Sequence, residues 1–327
     1  MRGLGGYACD PTSENRCPDK NGNRCAACDL FGCTGWARKF RLKVSDGKKL
    51  LDGQNILIPS GRIHQPKKGA RAGGWFVFSD SRISEIDFEL VPLRDVDLEP
   101  VQTILTLISR HASIGSKGSN GYGVIHAQGI QPGLTWLKAF SNSSILRTQY
   151  LHDFRDFFFA RFQFAEPACN GSWWQDVYGI RQATSGKLAN SSSPPPLRKS
   201  RNELEQMIHH GILPLAPVIR NWLHYIWKHG LNRDQEQYIF GDARAAIGSK
   251  ILTSYAYRVD GRWEFRIWGW LPCAGEIKIR DKFLQMLKDQ LLGDALWQHV
   301  FGNTGIKPEL TEWHALPCDQ TNGRAYL

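Results

Sequence analysis

The 327 residues are enough for two domains of ordinary size, and a composition that is 42% hydrophobic and 22% charged excludes a disordered chain. Forty-one Lys and Arg against 31 Asp and Glu leave a net charge of +10, which favours a polyanionic partner. No apolar run reaches bilayer length and the opening MRGLGGYACD lacks the apolar stretch of a secretory signal, so a reducing, cytoplasmic compartment is expected.

In that compartment clustered thiols more often hold metal than form disulfides. Cys9, Cys17, Cys25, Cys28 and Cys33 crowd the first 33 residues, while Cys169, Cys273 and Cys318 are scattered. The spacing C-x7-C-x7-C-x2-C-x4-C holds one C-x2-C pair, whose short bite suits one tetrahedral ion. The intervening CDPTSENRCPDKNGNRC is too rich in Asp, Asn, Pro and Gly to pack a core and needs a staple. The reading is a structural Zn2+ held by Cys9, Cys17, Cys25 and Cys28, with Cys33, just after Phe31-Gly32, as the spare thiol. The choice of four among five stays open, and unconnected free cysteines are the competing reading.

Further along, residues 61–74, GRIHQPKKGARAGG, form a basic segment that suits either a mobile hairpin or a solvated loop. Residues 74–79 and 83–91 read as strands, the second with Ile86, Phe88 and Leu90 alternating against Glu85, Asp87 and Glu89. After Pro100, Val101, Ile104, Leu105 and Ile108 mark an amphipathic helix running towards Gly115. The glycine-rich GSKGSNGYGVI that follows, ahead of an expected strand, can aim backbone N–H groups into one concavity for phosphate, with Lys117 adding a charge and Tyr122 a stacking face. A tight turn needs the same glycines for steric reasons alone.

The second half opens with FRDFFFARFQF, a strand buried on both faces for part of its length. A Ser- and Pro-rich stretch, 185–202, reads as a flexible loop. Two helices follow, through Leu204 and Ile208 and through Val218, Trp222, Tyr225 and Ile226. Asp260-Gly261 between two alternating runs is a strong hairpin signal. A last helix is expected from Asp281 as N-cap through Phe283, Leu287 and Leu291. Leu30-Phe31-Gly32 with its following cations is echoed by Ile239-Phe240-Gly241, which predicts two related α+β domains, 1–150 and 151–327.

RGLGGYACDPT…CAACDLFGCTGWARKFRL followed by GSKGSNGYG resembles the RAMP superfamily of CRISPR proteins, and within it the first-subunit family of type III-B (Cmr) effectors. The resemblance is most specific over residues 1–42 and only architectural after about residue 150. It implies two ferredoxin-like, RRM-related domains with inserted loops and a zinc strap. It also implies a non-catalytic role holding the 3′ region of a guide RNA (crRNA), beside other RAMP subunits and a target RNA, in antiviral defence. The RNA-binding residues then read as Trp36, Arg38, Lys39 and Arg41 beside the strap, and Lys117, Gly118, Ser119, Asn120 and Tyr122 in the glycine-rich loop. The family carries several tens of residues before this point, so the first sheet is expected to lack a strand. The alternatives are a metal-independent endoribonuclease using His111 as general base beside Arg110 and Lys117, and a purely structural assembly subunit.

Overall fold

A computed structural model describes residues 9, 16–45, 49–52, 56–59, 74–77, 82–114, 121–129, 156–167, 172–178, 180, 204–227, 230–241, 248–271 and 279–315. It is a mixed helix and sheet structure with antiparallel sheets.

Six strands of the first half pair as nested antiparallel couples. β1 (Phe40–Ser45) pairs β6 (Asp87–Pro92), β2 (Lys49–Asp52) pairs β5 (Arg82–Ser84), and β3 (Ile56–Pro59) pairs β4 (Gly74–Val77). The single strand expected over 83–91 is therefore two, interrupted at Glu85-Ile86, and the two pieces take different partners, β2 and β1. Across β1 and β6, Phe40, Leu42 and Val44 share a face with Leu90 and Phe88. The base of that face is closed by Leu30 and by Val101 and Leu105 of α2 (Glu99–His111), around a small core of Leu30, Phe40 and Val101. Farther out, Leu42 and Val44 are about half exposed.

The second half forms a six-stranded sheet in the order β12-β7-β11-β10-β8, with β9 also pairing β11. Its strands are β7 (Phe157–Phe164), β8 (Ile212–Leu213), β9 (Ile251–Thr253), β10 (Ala256–Val259), β11 (Arg262–Trp270) and β12 (Glu309–Ala315). Residues 204–209 are helical, followed by α3 (Ala216–Trp227) and α4 (Arg233–Phe240), and by α5 (Arg280–Leu292) and α6 (Asp294–Phe301) after the sheet's central strands. Asp260 and Gly261 both take positive φ and turn β10 into β11, as their sequence demands. Asp281 is not the N-cap of α5: it lies in the first turn, where its carboxylate meets Arg280.

Period-two alternation gives β7 two buried faces. Phe158, Ala160, Phe162 and Phe164 point into the large core with Phe265, Trp227, Trp297 and Phe301 from β11 and the helices. Rings of Phe162 and Phe265 stack at 5.0 Å, and each fully buried side chain of this size contributes roughly 1.5–3 kcal/mol. The opposite face, with Phe157, Phe159 and Trp268, receives the C-terminal end of α2. There Arg266 donates to the carbonyls of Ile108 and Ala112, and Arg161 donates to that of Arg110 at 2.6 Å. Both arginines are balanced by Glu264, and Arg161 also by Glu312. Two guanidiniums thus satisfy carbonyls that a helix end leaves open.

One local unit occurs twice. α1 (Ala26–Phe31) ends at Gly32 with φ 88° and ψ 159°, and α4 ends at Gly241 with φ 82° and ψ 159°. In the first copy the N–H of Lys39 donates to the carbonyl of Leu30, and in the second Lys250 donates to Ile239, each just before a strand. The Phe-Gly echo is a structural one, a helix closed by glycine and tied back to the next strand.

Candidate metal centre and nucleic-acid interface

The strap before α1 is organised by side chain to backbone bonds. The carboxylate of Asp19 accepts from the N–H groups of Asn21 and Asn23 and from the Asn23 side chain, which pull it below the usual carboxylate range. Cys25 is the N-cap of α1 and accepts from the N–H of Cys28 at 3.3 Å, while its own N–H donates to the sulfur of Cys17 at 3.2 Å. The sulfurs of Cys9, Cys17, Cys25 and Cys28 all lie within 4.8 Å of one another, with Cys9 and Cys28 3.5 Å apart. Zinc bonded to four thiolates at about 2.3 Å holds its sulfurs roughly 3.8 Å apart, so the cluster fits such an ion with small adjustments. Burial opposes ionisation of Cys25, yet the N–H groups of Cys28 and Cys9 bring its thiol down to about 7, while burial and the neighbouring sulfurs push Cys28 up. One ligand is thus ready as thiolate near neutral pH. Cys33 stays out of the cluster, and its backbone exchanges two hydrogen bonds with Trp36 across a tight turn.

The turn delivers Trp36 beside the knuckle, where its indole N–H donates to the carbonyl of Asp29. The Arg24 guanidinium lies 3.7 Å from the ring centroid and that of Arg94 lies 5.3 Å away. Lys39 is paired with Asp29 at 2.6 Å, whereas Arg38 and Arg41 are exposed with no side-chain partner among the described residues. Arg24 and Arg94 escaped the sequence reading; Arg24 stands directly before the N-cap cysteine, but nothing local links Arg94 to Trp36.

Lys117, Gly118, Ser119 and Asn120 lie outside the described residues, as do 60–73, which join the paired ends Pro59 and Gly74 and carry Arg62, Lys67, Lys68 and Arg71. Tyr122 packs against the large core, 5.4 Å from Tyr255, so its ring is engaged within the chain. Gly121 accepts from the Tyr257 hydroxyl, and a Cβ on Gly123 would sit 1.8 Å from the carbonyl oxygen of Ile114. These two glycines are required by close approach. No strand follows them among the described residues; Ile114 and Ala127 are tied instead through Gly123 and Ser109.

His111 is 5% exposed and stacked at 3.9 Å on Phe159, its Nδ1 3.9 Å from Glu312. Burial, then the charges of Arg161, Arg266 and Arg110 and the neighbouring His314, bring it down to about 3. The imidazole is neutral at pH 7.

Residues 1–126 match the RAMP superfamily family model. That span holds the four-cysteine cluster, the exposed Arg38 and Arg41, and α2. No curated protein matches the sequence. No helix among the described residues is long and apolar enough to cross a membrane.

Proposed function

We propose that the protein is a non-catalytic RNA-binding RAMP subunit that fills the first-subunit role of a type III-B (Cmr) CRISPR effector, holding the 3′ region of the guide RNA for antiviral RNA targeting. The observation that carries this reading is the coincidence of the RAMP match over residues 1–126 with a knuckle bearing exposed arginines that have no acidic partner among the described residues. Polyanion contact is the physical use of such unpaired cations. The knuckle is read as a structural Zn2+ site: a four-cysteine set fills a tetrahedral ion and leaves no open position for chemistry.

Two ferredoxin-like domains belong to the same proposal. In the second half a βαββαβ path through β7, β10, β11 and β12 gives the order β12-β7-β11-β10, which supports it. The first half offers β1, β6 and α2 as parts of the corresponding unit. The proposed partners are guide RNA, target RNA and other RAMP subunits, in the cytoplasm. Burial of His111 and its weak basicity support the non-catalytic reading, since a general base must reach its substrate.

The test is to incubate the protein with end-labelled repeat-spacer RNA without magnesium and run native and denaturing gels. A shifted, intact RNA whose binding weakens with salt is the expected result. A discrete cut lost in His111→Ala would replace this reading with the endonuclease, and absence of a shift would replace it with assembly alone.

A further inference from the structure

Trp36 is the residue a sequence reading offers as a platform for a base. The structure gives its ring to arginines from two distant parts of the chain. Arg24 precedes the N-cap of α1, Trp36 follows α1 by one tight turn, and Arg94 lies two residues beyond the end of β6. Three separate connections converge because the N–H of Leu93 donates to the carbonyl of Lys39, which brings the end of β6 against the start of β1. The ring is fixed at its edge by the bond to Asp29, whose carboxylate holds Lys39.

We infer that Arg24, Trp36 and Arg94 form a phosphate clamp for the sugar-phosphate backbone of single-stranded RNA, with Trp36 serving as the scaffold of two guanidiniums. A guanidinium stacked on indole uses its face and keeps its planar edge of N–H donors for an anion. The Arg24 edge is engaged only by the carbonyl of Gly22 at 3.5 Å, and neither arginine has an ion pair among the described residues. Both are exposed, and Arg38 and Arg41, also exposed, have no acidic partner among the described residues. Stacking removes side-chain freedom before the ligand arrives, which lowers the ordering cost of binding. Two cations held on one ring favour a polyanion with closely spaced charges over a single carboxylate. Contact through phosphate carries no sequence information, so the clamp positions RNA without reading it.

The inference rests on the RNA-binding reading, and binding assays separate the two. The probes are a single-stranded repeat-derived RNA, an oligomer of equal length with abasic positions, and polyglutamate as competitor. The double variant Arg24→Ala/Arg94→Ala is expected to bind more weakly and to lower the slope of log affinity against log salt by about 1.4, two phosphate contacts at roughly 0.7 each. Trp36→Phe keeps a ring face and retains most of the affinity. Trp36→Ala loses it equally on the normal and the abasic oligomer. Zinc stoichiometry of the variants, unchanged from the parent protein, confirms that the knuckle is intact. A Trp36→Ala loss that vanishes on the abasic oligomer makes the ring a base platform and overturns the clamp. So does polyglutamate competing as well as RNA, or an unchanged salt slope in the double variant while the parent protein binds RNA. No binding by the parent protein overturns the RNA reading and the clamp with it.

Discussion

The two copies of the helix, Phe-Gly and strand unit are held in different ways. In the second copy Ile239 and Phe240 are buried, Phe240 lying 5.5 Å from Trp227 and beneath His224 in a large aromatic core. In the first, Phe31 is 44% exposed, and among the described residues the fully buried core under α1 is Leu30, Phe40 and Val101, edged by the partly buried Leu90, Val96, Leu98 and Leu105. Three such side chains supply on the order of 5–9 kcal/mol, less than the roughly 10 kcal/mol or more that a structural zinc contributes in small domains. The surroundings differ in the same sense. Around the second copy, His224 meets Glu236, Arg220 donates to the carbonyl of Phe240 and Lys250 lies over the ring of Tyr238, whereas Arg38 and Arg41 beside the first have no side-chain partner among the described residues. Apolar packing frees one copy from metal. A metal ion held by the four-cysteine cluster would free the other to present charge.

Removing the ion breaks that comparison most strongly. Chelation, or Cys25→Ser, is expected to abolish zinc binding and expose residues 16–45 to protease, while 204–227, 248–271 and 279–315 stay resistant. Cleavage of both regions together would contradict separate modes of support. Next in size is the joint between the halves, where Arg266 and Glu264 are buried beneath the end of α2. Arg266→Met should cost about 3 kcal/mol in urea unfolding, since it removes the more buried of the two guanidiniums beside Glu264 and leaves Arg161 and Gln163 as the carboxylate's remaining partners, and Glu264→Gln added to it should restore part of the loss.

Acid sharpens the comparison further. Folded His111 titrates at about 3, and His314 is lowered too by burial and by Arg280, whereas an unfolded histidine titrates near 6.5. The unfolded chain therefore binds protons first as pH falls, and stability is lost between pH 6.5 and 3. Through His111 alone the loss is about 2 kcal/mol at pH 5, and His111→Leu should flatten the slope there. The smallest effect is expected from Arg262→Ala, an exposed pair worth within about 0.5 kcal/mol, which should leave RNA affinity unchanged. Arg38→Ala/Arg41→Ala should spare stability equally and weaken RNA binding in a salt-dependent way.

In the second sheet β7, β10 and β11 were legible because they alternate or run apolar on both faces and Asp-Gly fixes one hairpin, whereas β8, β9 and β12 were not read from the sequence. α4 was missed since RDQEQYIF has no apolar stripe, although Asn232 and Gln235 spell a capping box. α2 was found by its apolar positions, yet it also buries Thr103, Thr106, Ser109 and His111, which periodicity counts as solvent-facing. Those residues are covered because the helix is wedged between the ribbon and the second sheet. The cysteine spacing pointed to a metal site from local sequence alone. The ring contacts of Trp36 did not follow from sequence, because Arg94 reaches it only through strand pairing.

The central claim is that RNA lies on the metal-held copy. Hydrogen exchange of the zinc-loaded protein, with and without repeat-derived RNA, tests it most directly. Protection over residues 16–45 and 87–95, with 204–315 unchanged, is the predicted result. Protection confined to 204–315 would contradict it.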